Sequence, residues 1–409
     1  MEYFDALETR SPEVRERQQM AALPSLISFA KSYAPAVGEL LGEVDPAAVI
    51  SREALAALPV VRKSELQARQ QVNRPFGGFV GEWRGRVGRV FASPGPIYEP
   101  EGRSTDYWRT ARSMFAAGFR GGDLVHNSFS YHMTPGAWIM EAGAHALGCT
   151  VFPGGVGQTE QQLQAIADLQ PNAYCGTPSF LKILLEKADE SAIDVSSLTK
   201  ALVSGEAYPP SLRDALAERG VQGYQTYATA DLGVIAYESP AREGLIVDEG
   251  VILEIVRPGT GDPVPAGEVG EVVVTVFSRE YPLIRFATGD LSAMLPGLSP
   301  CGRTNQRIKG WLGRADQTTK VKGMFVHPSQ VADVVRLHPE ITRARLVVDN
   351  ATGQDRMTLN CEGAGGATLN EALVATLREV TKLRGEVAFV PSGSLPNDGK
   401  VIEDVRKYE

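Results

Sequence analysis

At 409 residues the chain is longer than one hydrophobic core usually supports, so at least two domains are expected. A hydrophobic content of 43% with 22% charged residues is ordinary globular composition, and a net charge of -8 offers no footprint for nucleic acid or an anionic membrane surface. Cys149, Cys175, Cys301 and Cys361 form no CxxC pair, no long apolar run appears and the first residues are charged, so a disulfide framework, a structural zinc, a membrane span and a signal peptide are not expected and a cytoplasmic setting is.

Residues 1 to about 70 read as helices, opened by a Ser-Pro start signal in "SPEVRERQQMAALPSLISFAKSY" and followed by "LPVVRKSELQAR" as a turn into a further short helix. Short apolar or β-branched runs then alternate with helical patterns. The runs are "GRVFAS", "LVHNSFS", "TVFPGG", "AYCGTP", "KALVSGE" and "GYQTYA"; the helices are expected over 104–117, 134–147, 159–169, 178–188 and 210–219. Repeated strand, loop and helix units imply a parallel sheet, and ligands of such sheets sit at the carboxyl ends of the strands. Here those ends are Ser93, Gly154, Thr177, Gly205 and Thr226, expected to share one crevice. From Gly244 the texture becomes β-rich, reading as a smaller antiparallel sheet or barrel, and the last ninety or so residues alternate strand and helix as an independent α+β unit.

Four stretches could carry chemistry, and each also has a plain structural reading. In "YPLIRFATGD", Asp290 at the end of a strand on a Gly turn could accept both hydroxyls of a ribose, or could be a β-turn aspartate. In "GRADQTTKVKGMFVHPSQV", Arg314 could reach a phosphate and Gly323 permits close backbone approach, or the stretch is a solvated loop. In "LPNDGKVIED", Lys400 could bring its charge to a developing oxyanion when a terminal module closes, or could be a surface lysine. In "YATADLG", Tyr227 could stack on a purine and Asp231 could hold Mg²⁺ beside phosphates, or Asp231 is a helix N-cap.

The order of these stretches, together with "LPVVRKSEL", "FRGGDLV", "GGVGQTEQQL", "CGTPSFL", "VSGEAYPPSLR" and "PCGRTNQRIKGWLGRADQ", resembles the phenylacetate-CoA ligase family of the adenylate-forming superfamily. The resemblance implies an α/β fold: a large amino-terminal domain over residues 1–313, with parallel αβ sheet layers and a β-rich subdomain, and a small α+β carboxyl-terminal lid over 314–409. It implies ATP-dependent activation of a carboxylic acid to an acyl-adenylate and transfer to coenzyme A, with ATP or AMP, Mg²⁺ and coenzyme A as cofactors and a homodimer as the assembly. Delivery to an acyl carrier protein or an amine, and a non-catalytic adenylate-binding role, stay open beside it.

Carried over residue by residue, the resemblance implies Asp290 for ribose, Arg314 for ribose or phosphate, Asp316 as hinge and Lys400 as the adenylation lysine. Ser204, Gly205, Glu206 and Ala207 would form the wall beside adenine, Thr226, Tyr227, Ala228, Thr229 and Asp231 the adenine and Mg²⁺ segment, and Gly323 would lie near the pantetheine passage. The acid would lie among Tyr131, His132, Met133, Gly136, Gly205, Ala207 and Ala230, whose aromatic and Met side chains suit a flat aryl acid. Where the family carries a Ser/Gly/Thr-rich phosphate loop with a lysine, this chain has "VFASPGPIYEP"; Ser93 is its one hydroxyl, and its prolines lack N–H donors.

Overall fold

The computed structural model describes residues 2–257, 259–312, 315, 319–322, 324–326, 328–351, 354–396 and 401–406. The chain divides into two compact units, Met1–Leu312 and Gly313–Glu409.

In the first unit the alternating runs build one side of a nine-stranded sheet. Thr150–Phe152, Leu124–Asn127, Ala173–Gly176, Lys200–Val203 and Gln222–Thr229 lie side by side and parallel, in that spatial order. Period-two alternation serves both faces. Ala173 and Cys175 join Met114, Ile139 and Met140 of the helices Thr110–Ala116 and Gly136–Ala146, whereas Tyr174 joins Leu163, Ile166 and Leu181 of Thr159–Leu169 and Pro178–Glu190. Pro210–Glu218 adds Leu216 to the second face. The first of these helices starts later than its pattern suggests. Arg109 sits at φ 61°, and Asp106 accepts the N–H groups of Thr110 at 2.8 Å and Ala111 at 3.1 Å, capping the chain there.

The sheet continues past Gln222–Thr229 with antiparallel strands Gly233–Glu238, Leu245–Val247, Arg307–Ile308 and Met294–Leu295. Thus the switch to antiparallel pairing comes before Gly244, at a hairpin turn around Asp231. A second, four-stranded sheet runs Val61–Arg62, Phe286–Ser292, Gly270–Val276, Val251–Val256, with the first pair parallel and the others antiparallel. It is an open sheet, and the helix Pro12–Tyr33 covers it with Leu23, Ile27 and Ala30. Ser11 starts that helix by accepting the Val14 N–H at 3.3 Å, with Pro12 in the first turn.

Two expectations about strand ends are corrected. Asp290 is not at the end of its strand: Phe286–Ser292 runs through it, and Gly289 at φ +77° lies in a bulge between the pairs Glu271–Leu291 and Val273–Ala287. Ser93 does not end a strand of the parallel sheet. Arg89–Ser93 pairs only with Ile97–Glu101, in a separate two-stranded hairpin turned by Pro94-Gly95-Pro96. The Pro-rich sequence that removes N–H donors also closes the loop into a turn.

The second unit has its own sheet, ordered Glu386–Val390, Arg356–Gly363, Ile341–Asp349, Ile402–Asp404, with the helices Pro328–Leu337 and Ala367–Thr381. Val331, Val334, Leu346, Val348, Leu359, Leu373 and Leu377 form its core.

A buried ion pair ties the extreme amino terminus to the end of the first unit. Glu8 Oε1 accepts from Arg303 Nε at 2.7 Å and from the Tyr237 hydroxyl at 2.8 Å, and both charged side chains are essentially inaccessible. Removing one member of such a pair strands the other, at a cost of about 3–5 kcal/mol. Glu8→Ala should therefore lower the thermal midpoint of unfolding by several degrees; an unchanged melting curve would show that the pair contributes nothing.

Candidate active site

The strand Gln222–Thr229 and the turn after it carry most of the expected site, and its residues face three neighbouring groups. At the first, Ser204 Oγ donates to the Thr226 carbonyl at 2.8 Å, joining the wall Ser204–Ala207 to the strand. Thr226 itself is buried, its hydroxyl donating to the Ala236 carbonyl at 3.3 Å, so only its backbone borders the site. Gly205 stands at φ +84°, and a Cβ there would meet Phe129 and Thr177 at 3.7 Å; a Cβ on Gly136 would meet Phe129 at 3.6 Å. The Phe129 ring thus lies between the two expected pocket glycines. Glu206 is exposed, its carboxylate accepting the Ser179 N–H at 2.6 Å.

At the second group the Tyr227 hydroxyl donates to Asp290 Oδ2 at 2.8 Å and lies 3.2 Å from Thr288 Oγ1. The indole N–H of Trp311 donates to Asp290 Oδ1 at 3.0 Å. Two donors therefore fix the plane of a carboxylate that is nearly buried. A carboxylate held in a fixed plane is the kind of charged acceptor that makes strong hydrogen bonds to hydroxyl groups.

The third group lies at the turn. Ala228, Thr229 and Ala230 are half-buried, and Thr229 Oγ1 accepts the Leu232 N–H at 3.2 Å. Asp231 sits in a strand-to-strand turn and is not a helix N-cap. Lys63 Nζ donates to its Oδ2 at 2.5 Å, while Oδ1, also buried, has no hydrogen-bond partner among the described residues. Next to this pair is Glu99, fully buried on the second strand of the hairpin. Glu99 accepts the Ser93 N–H at 3.2 Å through Oε2 and the Ser93 hydroxyl through Oε1. Ser93 therefore does not offer its donors to a phosphate; an internal carboxyl holds both. The Ala92 N–H is taken as well, by the Met133 carbonyl at 2.8 Å.

The helix Lys63–Val72 fastens the hairpin. Lys63, Gln67 and Gln70 recur at helical spacing, and all three face this region: Gln67 donates to the Gly95 carbonyl, and Gln70 exchanges two 2.8 Å bonds with the backbone of Tyr98. Of the expected acid-pocket residues, Tyr131 spends its hydroxyl on Glu141 Oε2 at 2.7 Å and on Asn127 at 3.0 Å. His132 and Met133 are exposed, and Ala207 is half-buried. Arg314, Asp316, Gly323 and Lys400 lie outside the described residues. An open depression of about 470 Å³ lined by Arg89, Glu101, Arg103, Asp106, Ala142 and His145 contains none of the expected site residues.

Phe129, Trp311, Lys63, Gln67, Gln70 and Glu99 are additions that the sequence reading missed. The helical spacing of Lys63, Gln67 and Gln70 is a usable signal. So is Pro94-Gly95-Pro96: taken as a hairpin turn, it puts Ser93 and Glu99 diagonally on one face.

These features meet matches to known proteins. Residues 108–276 match the family model described as AMP-binding enzyme. The phenylacetate-coenzyme A ligase of Thermus thermophilus is 31% identical over 95% of this chain and 92% of its own, and that of Escherichia coli is 30% identical over 85% and 84%. Among solved structures, 2-hydroxyisobutyryl-CoA ligase in complex with 2-HIB-AMP and CoA matches with a TM-score of 0.79 at 25% identity, over 98% of this chain and 92% of that one. Fold, site and matches together define an adenylate-forming enzyme, an AMP-forming acid–CoA ligase. Within that class, the chain belongs to the phenylacetate-coenzyme A ligase family.

Burial, and then the Asp231 carboxylate, push the Glu99 carboxyl up to about 8 against the pull of Lys63. The folded state keeps a proton there that the unfolded chain releases in the ordinary carboxylate range, so stability falls as pH rises through that interval. Thermal midpoints should therefore drop between about pH 5 and pH 8.5, and Glu99→Gln should flatten that part of the curve. Parallel pH profiles for wild type and variant would contradict this assignment.

Proposed function

We propose that the protein joins an aryl or arylacetic acid to coenzyme A through an acyl-adenylate. The acid carboxylate attacks the α-phosphorus of ATP, releasing pyrophosphate, and the coenzyme A thiol then takes the acyl group and releases AMP. One observation carries this reading: Asp290, held between Tyr227 and Trp311, presents a fixed carboxylate at the side of the strand Gln222–Thr229. A charged acceptor so fixed suits the paired hydroxyls of a ribose. Ser204 to Ala207 and Tyr227 to Thr229 then border the base.

Phe129, between Gly136 and Gly205, supports a flat apolar acid beside the strand ends, with Ala230 and the loop 131–133 as further borders. Because 2-hydroxyisobutyryl-CoA ligase shares the fold, short hydroxy acids belong in the same substrate panel. The attacking carboxylate and the α-phosphate are both anions, so the reaction needs cations and in-line positioning. We assign that charge to Lys400 and Arg314, with Asp316 as the hinge of a closing terminal unit. Asp231 supports Mg²⁺ as well, since Mg²⁺ commonly takes one or two carboxylates plus substrate phosphates and Oδ1 is a buried oxygen without a hydrogen-bond partner among the described residues. Bound there, the ion would neutralise phosphate charge.

The test is acid-stimulated ATP–pyrophosphate exchange across aryl, arylacetic and short hydroxy acids, followed by mass detection of the thioester. Exchange stimulated by an aryl acid is expected, with Lys400→Ala slowing it at least a hundredfold and leaving thermal stability intact, the loss typical of a removed charge stabiliser. Asp290→Asn should weaken AMP binding about tenfold, the loss of one charged hydrogen-bond acceptor. A folded protein that neither exchanges with any acid nor binds AMP would overturn the reading.

A further inference from the structure

The proposed reaction needs a place for the β- and γ-phosphates, and in the stretch that the resemblance assigns to them Glu99 is bonded to Ser93. The hairpin turn offers little to a phosphate tail. Pro94 and Pro96 have no N–H, the Ala92 N–H is spent on Met133, and the Ser93 N–H and hydroxyl are both spent on Glu99. Gln67 holds the turn at Gly95 and Gln70 holds the strand after it at Tyr98, so the hairpin cannot reshape freely around a ligand.

The charges nearby point the same way. Asp231 is buried close enough to Glu99 to raise the proton affinity of Glu99, the Tyr281 hydroxyl is fully buried beside both, and Lys63 pairs with Asp231. Tail phosphates entering this corner would meet the Asp231 carboxylate, already paired with Lys63, and a protonated Glu99 carboxyl that holds both donors of Ser93. A mononucleotide avoids the conflict, because the Asp290 end of the site is built on different elements.

We propose that Glu99 is an internal competitor for the tail of a nucleoside triphosphate, making the site selective for nucleotides with a single phosphate, AMP and acyl-adenylate, over ATP. The proposal rests on the nucleotide reading of the Asp290 site. ATP enters only when the Glu99 side chain leaves Ser93, so Glu99 sets the working ATP concentration without touching adenosine.

Isothermal titration calorimetry of AMP, ADP and ATP against the full chain, with and without Mg²⁺, tests this. In the wild type AMP should bind at least tenfold tighter than ATP. Glu99→Ala, which frees both Ser93 donors, should tighten ATP and ADP at least tenfold and leave AMP within twofold. ATP binding as tightly as AMP in the wild type would overturn the proposal, and that comparison needs no variant to fold. An equal shift of all three nucleotides in Glu99→Ala would also overturn it, since the residue would then act on the whole pocket. If the folded wild type bound none of the three, the nucleotide reading itself would fall and this inference with it.

Discussion

A buried carboxylate must be matched by donors, and at Asp290 that requirement joins the two main sheets of the large unit. Asp290 belongs to the four-stranded sheet, yet its Oδ2 is satisfied by Tyr227 from the nine-stranded sheet. The bulge at Gly289 shifts the register of the strand at this point, and Trp311 donates to Oδ1. Neither donor could be removed without leaving a nearly buried charge short of partners, a loss of order 1–3 kcal/mol or more. The contact that knits the fold is thus also the one that presents a fixed anion to a ligand.

The same rule governs the corner around Asp231, with the opposite effect on ligands. Lys63 pairs with Asp231 Oδ2 and Glu99 holds both donors of Ser93, while Asp231 Oδ1 is left without a hydrogen-bond partner among the described residues. A helix of ten residues supplies the cation and both clamps. Its apolar contribution is small, with Leu66 the main buried hydrophobic, so the helix is held largely by what its polar face grips.

Much of this was legible in the sequence because it is written in local periodicity. The five parallel strands, their helices and the terminal α+β unit follow from runs and spacings that tertiary contacts did not override. What was missed depends on partners distant in sequence. Nothing local distinguishes Tyr227 as a hydrogen-bond donor to a residue 63 positions away, or Trp311 as its counterpart. The helix expected from Ser104 failed at Asp106 and Arg109, where a side chain caps the backbone of the following turn. The stretch "VFASPGPIYEP" shows its missing N–H donors in its prolines. Its hairpin and its buried glutamate went unseen because "YEPE" looks like solvated sequence until the pairing places Glu99 behind Ser93.

On the reading proposed above, adenosine recognition and tail recognition rest on separate elements of this molecule. The first is carried by the strands Gln222–Thr229 and Phe286–Ser292, central in their sheets, where a change of register would disrupt the whole core. The second falls on a two-stranded hairpin pinned by one short helix, which can change composition without disturbing either sheet. A chain can then exchange phosphate donors for prolines and install its own carboxylate while the nucleoside end stays intact. Such a change alters which phosphorylation state of the nucleotide the protein meets most readily. It leaves the geometry that holds the sugar as it was.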